Sequence, residues 1–298
     1  MRSLLFVPAD GGNKLDKAFA SGADAIILDL EDSIAPDRKQ RARSEAAAFL
    51  KKAAAHEGRP QLLVRVNGLA TGLLDADLDA VVPARPDAVV LPKAVGGAAV
   101  IHADAKLAAR EAMADLADGH VRILAQAIET AAGIFHAGSF HGASPRLIGL
   151  TWGPEDLSAE IGADANRDAS GMLTEPYRLA RSTCLFAAAA AEVSAIETVF
   201  VDFRNLDGLR RDTEQARRDG FSGRLAIHPA QVAVINEIFT PTAEALAKAN
   251  AIVAAFAAAP GAGVVAIEGV MYDRPHLLRA QRLLARAGLN RGPAPAPR

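Results

Sequence analysis

The sequence predicts an α/β fold of the (β/α)8 TIM-barrel type, in which eight parallel strands close into a ring and a helix follows each strand. Apolar runs rich in β-forming residues recur along the chain, and Ala/Leu-rich amphipathic stretches lie between them. This alternation is typical of parallel strands that are buried on both faces. The predicted strands are residues 3–7, 25–30, 62–66, 88–91, 122–128, 147–151, 197–201 and 225–227. Eight such units in 298 residues suit a fold that typically occupies about 250 residues.

The connections between the predicted elements support the same architecture. Short segments with Gly or Pro precede five of the strands, as expected at helix-to-strand turns. These segments are residues 21–22, 57–60, 84–86, 142–145 and 220–223. The longest stretch without periodicity, residues 160–174, is expected to be a functional loop.

The region after the eighth strand exceeds what closure of a barrel requires. We predict a helix at residues 241–258, a Gly-rich loop and weak strand within 261–267 and a last helix at 275–287. Residues 1–288 are therefore expected to form one barrel domain, with a C-terminal helical extension from about residue 241. This extension would cover a barrel mouth or pack on a neighbouring subunit. Residues 289–298 are rich in proline and predict a disordered tail.

The composition excludes several classes of protein. The net charge of −2 gives no sign of a nucleic-acid or anionic-membrane partner. No segment approaches the roughly 20 apolar residues of a membrane span, and the first residues do not read as a signal peptide, so we expect a cytoplasmic protein. The only cysteine, Cys184, excludes an internal disulfide and a cysteine-cluster metal site. We expect it to be a packed core thiol.

Most predicted strands are followed by charged or polar side chains. In a barrel of this type the active site lies at the C-terminal ends of the strands. The side chains at or just after these ends are Asp10, Glu31, Asp32, Asn67, Lys93, Glu129, Glu155, Asp156, Asp202 and His228. They are the candidates for catalysis and binding.

Glu129 and Asp156 follow the fifth and sixth strands. Neighbouring strands lie about 4.8 Å apart, so these two carboxylates can share one ligand. No His or Cys accompanies them at ligand spacing, and carboxylate oxygens suit Mg²⁺ ahead of zinc. The alternative is that both side chains only cap the helices that follow.

Arg65 lies inside the third strand and must have an anionic partner or a strong acceptor. It can pair with Glu31 or Asp32 at the neighbouring strand end, or it can hold a substrate carboxylate in bidentate fashion. Its place at the barrel mouth favours the substrate. Asn67 is then either a second donor or a turn residue.

Two further side chains allow other chemistry. Lys93 can form a Schiff base with a carbonyl substrate, although an ion-paired lysine is the simpler interpretation. His228 can act as a general base or can simply bond to the barrel rim. No GxGxxG or P-loop motif is present.

These segments together resemble the citrate lyase β-subunit-like family of the HpcH/HpaI aldolase/citrate lyase superfamily, which includes malyl-CoA and citramalyl-CoA lyases. The matching segments are residues 2–9, 28–33 with Lys39 and Arg43, 65–67, 91–93, 128–130, 152–157, 220–223 and 227–231. The resemblance spans nearly the whole chain in order. A departure is Glu197, where the family usually has an aspartate.

The resemblance implies a Mg²⁺-dependent carbon–carbon lyase that cleaves or forms a 3-hydroxy-acyl-CoA such as malyl-, citramalyl- or citryl-CoA. It implies that Glu129 and Asp156 hold the metal, with Glu129 also in contact with substrate, and that Arg65 binds and polarises the oxo-acid. It implies that Asp273 is a general acid supplied by a neighbouring subunit of a homo-oligomer (trimer or hexamer); Asp273 can instead merely cap the last helix.

The resemblance also requires cations for coenzyme A near the mouth, and Lys14, Lys17, Arg38 and Lys39 are candidates. Three other functions stay open. One is an acyl-CoA thioesterase on the same scaffold, and another is the β-subunit of a multisubunit citrate lyase with an acyl-carrier partner. The third is a class II pyruvate aldolase, which Glu31-Asp32 argues against because such enzymes carry Glu-His there.

Overall fold

The computed structural model describes residues 1–288, which form two compact units. The first unit spans residues 1–238, and the second begins at Phe239. The predicted tail at 289–298 lies outside the described residues. The expected start of the extension, about residue 241, falls close to the boundary between the units. No helix within residues 1–288 is long and apolar enough to cross a membrane.

The first unit contains the predicted closed barrel of eight parallel strands. Each strand pairs with the next in the chain, and β8 pairs with β1 to close the ring. The strands are β1 (Ser3–Pro8), β2 (Ala25–Asp29), β3 (Gln61–Arg65), β4 (Ala88–Leu91), β5 (Arg122–Ile128), β6 (Leu147–Trp152), β7 (Ser194–Glu197) and β8 (Gly223–Ala226).

Helices connect the strands on the outside of the ring. They are α1 (Asn13–Phe19), α2 (Lys39–Ala54), α3 (Leu74–Val81), α4 (Gly96–Met113), α5 (Ala131–His136), α6 (Pro154–Ile161), α7 (Glu175–Ala190), α8 (Leu206–Asp219) and α9 (Pro229–Phe239). Two helices, α6 and α7, follow β6, and the non-periodic loop lies between them. Cys184 is a buried free thiol on α7, and burial raises its pKa.

Alternation along the strands determines which side chains fill the barrel. Successive side chains of a strand point to opposite faces, and the inward positions form an apolar core. Its buried members are Leu4, Ala25, Ile27, Leu63, Ala88, Val90, Leu124, Ile196 and Leu225. Two residues further along β2, β3 and β5, the inward positions become polar: Asp29, Arg65 and Gln126. The barrel interior is therefore apolar at its centre and polar at its C-terminal end.

The position predicted for the seventh strand is wrong. β7 spans Ser194–Glu197, so the apolar run 197–201 begins where the strand ends. In the loop after β7, Val199 packs against the barrel core, and the Phe200 ring lies 5.5 Å from the Arg167 guanidinium carbon. Val199 and Phe200 are apolar because their side chains pack against the rest of the protein, although their backbone is not part of the sheet. Asp202 consequently does not lie at a strand end.

The second unit contains a helical pair and a hairpin. Helix α10 (Ala243–Ala258) is followed by strands β9 (Val264–Ile267) and β10 (Val270–Asp273), which pair antiparallel, and by α11 (Arg274–Arg286). The sequence analysis predicted both helices and β9 but missed β10. Glu268 and Gly269 join the strands with φ of 50° and 77°, a backbone conformation typical of a two-residue hairpin turn. That residues 1–288 form a single domain stays a prediction.

Candidate active site

Arg65 is held at the end of β3 by an acidic side chain of the neighbouring strand. Its Nε and Nη2 atoms donate to Oδ1 and Oδ2 of Asp29, each at 2.7 Å. The two residues are register partners in β2 and β3. Burial acts to lower the pKa of Arg65, but the hydrogen bonds to Asp29 outweigh it, so the guanidinium stays charged. The third nitrogen, Nη1, lies 3.1 Å from Oε2 of Glu31.

Glu31 connects Arg65 to Lys93. Its Oε1 atom accepts a 2.6 Å hydrogen bond from Lys93 Nζ, which also lies 3.3 Å from Oδ1 of Asp156. Burial acts to lower the pKa of Lys93, but the hydrogen bond to Glu31 raises it above its ordinary value. A charged lysine in an ion pair is a poor nucleophile, which argues against a Schiff base at this position.

The Glu129 carboxylate is deeply buried at this end of the barrel, with 2% of the residue's surface exposed. Oε1 accepts a hydrogen bond from Gln126 Nε2 at 2.6 Å, and Oε2 accepts one from the Lys93 backbone N–H at 2.8 Å. Burial raises its pKa to about 8, and the negative charges of Asp156 and Glu31 add to this effect. A cation close to Glu129 would lower this pKa, because it favours the ionised form of the carboxyl group.

Gly153 provides the space in which Glu129 lies. A Cβ atom at position 153 would be 2.6 Å from Glu129 Oε1 and 2.9 Å from Glu129 Cγ, distances shorter than van der Waals contact. Gly153 begins the turn into α6, and Asp156 lies in the first turn of that helix. The short segment 153–156 therefore leaves the space for the Glu129 carboxylate and carries the Asp156 carboxylate.

The donor set suits a hard divalent cation that a substrate helps to coordinate. Glu129 and Asp156 supply carboxylate oxygens only, and their charges are close enough to act on each other. Among residues 1–288 no group of three or more His, Cys, Asp or Glu side chains is arranged to hold a metal ion. Two protein carboxylates leave coordination positions open, and oxygen ligands of this kind are those that Mg²⁺ prefers.

A partly buried polar network supports the ends of β2 and β3. Lys39 Nζ donates to the carbonyl oxygens of Leu30 and Glu31 and to Asn67 Oδ1, at 2.6, 2.7 and 2.8 Å. Asn67 Nδ2 donates to Asp77 Oδ2 at 2.6 Å. Lys39 is therefore not available for coenzyme A, and Asn67 holds the backbone rather than a ligand.

The other candidates for coenzyme A binding lie on the surface. Lys14 and Lys17 are exposed, whereas Arg38 forms an ion pair of 2.7 Å with Asp10. His228 is also exposed, and its ring stacks on Phe203 with centroids 4.8 Å apart.

Glu197 does not join the cluster around Glu31. Glu197 is buried outside the barrel ring, where it accepts hydrogen bonds from Trp152 Nε1 and Arg181 Nε, both at 2.6 Å. The family departure at this position is thus a packing feature. Asp273 lies in the second unit and caps α11, with its side chain accepting from the His276 backbone N–H.

Sequence reasoning named Arg65, Glu129 and Asp156, and the structure places them around Glu31 and Lys93. The sequence analysis missed Asp29 as the partner of Arg65 and gave no role to Gln126. Alternation was the available signal. Asp29 follows the core residue Ile27 by two positions, as Gln126 follows Leu124, so each pair shares a face of its strand.

Comparisons with known proteins agree on one family. The family model described as HpcH/HpaI aldolase/citrate lyase matches residues 2–229, and the one described as C-C bond lyase of the TIM-barrel fold matches residues 173–290. A (3S)-malyl-CoA thioesterase of Cereibacter sphaeroides is 36% identical over 96% of this chain and 94% of the relative. The citrate lyase subunit beta of Leuconostoc mesenteroides is 32% identical over 97% and 94%.

A solved structure has the same fold over nearly the full length. The protein CitE of Mycobacterium tuberculosis, in complex with magnesium, acetoacetate and coenzyme A, superimposes with a TM-score of 0.74. It is 34% identical in sequence, and the match covers 96% of this chain and 98% of that one.

Proposed function

Since the chain belongs to the HpcH/HpaI aldolase/citrate lyase family, an enzyme family of the carbon–carbon lyase type, we propose that it cleaves or forms a 3-hydroxy-acyl-CoA. The substrate class comprises malyl-, citramalyl- and citryl-CoA, which yield an oxo-acid and a shorter acyl-CoA. The observation that carries the proposal is the cluster at the strand ends. The Arg65 nitrogen that Asp29 does not hold, Nη1, and the carboxylates of Glu129 and Asp156 meet around Glu31 and Lys93.

We propose that Glu129 and Asp156 hold Mg²⁺. A bound Mg²⁺ supplies Lewis-acid polarisation of the reacting oxygens of the substrate. Glu129 fits this role because it is buried, anionic when a cation is near, and held by donors on both oxygens. Lys93 Nζ holds Asp156 on the side of Glu31.

Arg65 would bind the oxo-acid half of the substrate. Asp29 fixes the plane of its guanidinium through two hydrogen bonds. The remaining nitrogen, Nη1, lies against Glu31 and would be the donor toward the ligand. A fixed positive charge at this point stabilises negative charge that develops on a substrate oxygen. Asp273 would protonate the enolate that remains on the shorter acyl-CoA.

The second candidate is an acyl-CoA thioesterase, because a relative that matches nearly the full length is named a (3S)-malyl-CoA thioesterase. In this reaction water is activated to attack the thioester, and no carbon–carbon bond is broken. The products separate the two activities, since a thioesterase releases free coenzyme A and an intact hydroxy acid.

The test is a mass-spectrometric assay of the purified protein with malyl-, citramalyl- and citryl-CoA, with Mg²⁺ and with chelator. We expect Mg²⁺-dependent formation of an oxo-acid and a shorter acyl-CoA. Asp156→Asn should abolish turnover, whereas Glu155→Gln, an exposed neighbour in the same helical turn, should retain it. Equal activity of both variants would exclude Asp156 as a metal ligand, and free coenzyme A would establish the thioesterase.

We further propose a cytoplasmic homo-oligomer, a trimer or hexamer, in which Asp273 of one copy serves the site of another. The resemblance to the family supports this arrangement. A measurement of molecular mass in solution by light scattering tests it, and a monomer that is fully active would contradict it.

A further inference from the structure

Two buried side chains on the neighbouring strands β5 and β6 carry oxygen atoms without a hydrogen-bond partner among residues 1–288. They are Gln126 Oε1 and Thr151 Oγ1, and their residues are 4% and 0% exposed. An unpaired polar atom in a protein interior costs free energy, so native proteins rarely keep one without a reason. A ligand that forms the missing hydrogen bonds is such a reason.

Both oxygens lie inside the barrel at its C-terminal end. Gln126 and Thr151 are register partners on β5 and β6, and Gln126 follows the core residue Leu124 by two positions. Trp152, the next residue after Thr151, instead bonds to Glu197 outside the ring. Since neighbouring strands are about 4.8 Å apart, one small group can contact both side chains.

The amide orientation of Gln126 determines what this group must be. Nε2 donates to Glu129 Oε1 at 2.6 Å, so the free end of the amide is the oxygen, which only accepts. A carboxylate or keto oxygen cannot satisfy it, because these groups also only accept. A hydroxyl group can donate to Gln126 Oε1 and at the same time accept from the Thr151 hydroxyl.

We propose that Gln126 and Thr151 form a subsite for the hydroxyl group of a hydroxy-acid substrate. The subsite rests on the proposed function, since it adjoins Glu129, and it names the feature of the substrate that these residues recognise. A hydroxy acid is bound in preference to the same acid without the hydroxyl. After the hydroxyl has become a keto group, Gln126 Oε1 loses its donor, which favours release of the oxo-acid.

The test compares malate with succinate, which differ by one hydroxyl group, as ligands of the protein in the presence of Mg²⁺. Isothermal calorimetry gives both affinities for the wild type and for Thr151→Val, which removes the hydroxyl but keeps the shape. We expect the wild type to prefer malate by about a hundredfold, since each of the two hydrogen bonds to the hydroxyl group contributes about tenfold. Thr151→Val should reduce this preference to about tenfold, because only the hydrogen bond to Gln126 Oε1 remains. It should keep its affinity for succinate and show an unchanged or higher Tm without ligand. Thr151→Ser should restore the preference.

Thr213 provides a matched control. It is fully buried like Thr151, but its hydroxyl accepts a hydrogen bond from Arg224 Nη1 at 3.1 Å. Thr213→Val should lower the Tm and leave the preference for malate unchanged. If Thr151→Val does not fold, Thr151→Ala removes the same hydroxyl.

Three results would overturn the proposal. They are a wild type without preference for malate, a Thr151→Val variant that keeps the full preference, and a Thr151→Val variant with lower Tm and equally weakened binding of both acids. The last result would indicate that the two side chains hold a structural water molecule. A preference for malate without turnover of any acyl-CoA would refute the proposed reaction but not the subsite. Turnover without the preference would refute the subsite alone.

Discussion

The buried carboxyl group of Glu129 makes the affinity for Mg²⁺ depend on pH. Burial and then the charges of Asp156 and Glu31 raise its pKa to about 8. A metal ligand must be deprotonated, so below pH 8 a proton competes with the cation for the same group. Affinity for Mg²⁺ should therefore fall as the pH is lowered, and binding should release a proton.

The size of the effect follows from the raised pKa. With a pKa of about 8, roughly half of the Glu129 groups are ionised at pH 8 and about 1% at pH 6. If Mg²⁺ binds only the ionised form, the Kd rises about 50-fold between these pH values, or about 2.3 kcal/mol. A glutamate with an ordinary pKa of about 4.3 would give almost no change over this range.

Isothermal calorimetry from pH 6 to 9, in two buffers with different heats of ionisation, gives both the Kd and the number of protons released. We expect about one proton at pH 6 and almost none at pH 9. The fluorescence of Trp152, the only tryptophan of the chain, provides a second readout because it immediately precedes Gly153. Glu129→Gln should show neither binding nor proton release. A Kd that changes less than threefold between pH 6 and 8 would refute the reasoning.

Three further predictions concern two side chains that support the site and the proposed general acid. Asp29→Asn removes a charge from the buried pair with Arg65 and should cost about 3 kcal/mol of unfolding free energy in urea titrations; a loss below about 0.5 kcal/mol would contradict the pairing. Lys39→Met should lower stability by about 2 kcal/mol at an unchanged KM for the acyl-CoA, and a raised KM at full stability would instead indicate contact with coenzyme A. Mixing Asp273→Ala with Arg65→Ala subunits should restore part of the activity, and no recovery in verified mixed oligomers would count against a general acid supplied in trans.

The barrel is predictable from the sequence because each strand is buried on both faces and must be apolar along its length. This reasoning fails where a loop is apolar for a different reason. Residues 199–200 are apolar because the loop packs on the barrel core and beneath Arg167. The hairpin strand β10 was missed because Val270 and Met271 are exposed and show no pattern of burial.

The site is predictable in part because parallel strands bring their C-terminal ends together. That rule selects Glu129, Asp156 and Arg65 without a structure. It does not give the register between strands, which decides that Arg65 lies opposite Asp29 rather than Asp32. Nor does it show which polar atoms stay unpaired, since this depends on the amide orientation of Gln126.

Gly153 has a consequence for the way this protein can change over generations. Every residue that one base change can produce from a glycine codon has a Cβ atom, and that atom would press on Glu129. Every single-base change that replaces Gly153 by another residue therefore disturbs Glu129, so substitution at this position and loss of the carboxylate site go together. In related genomes, a copy of this gene with any other residue at position 153 should encode a barrel that has abandoned the chemistry of Glu129.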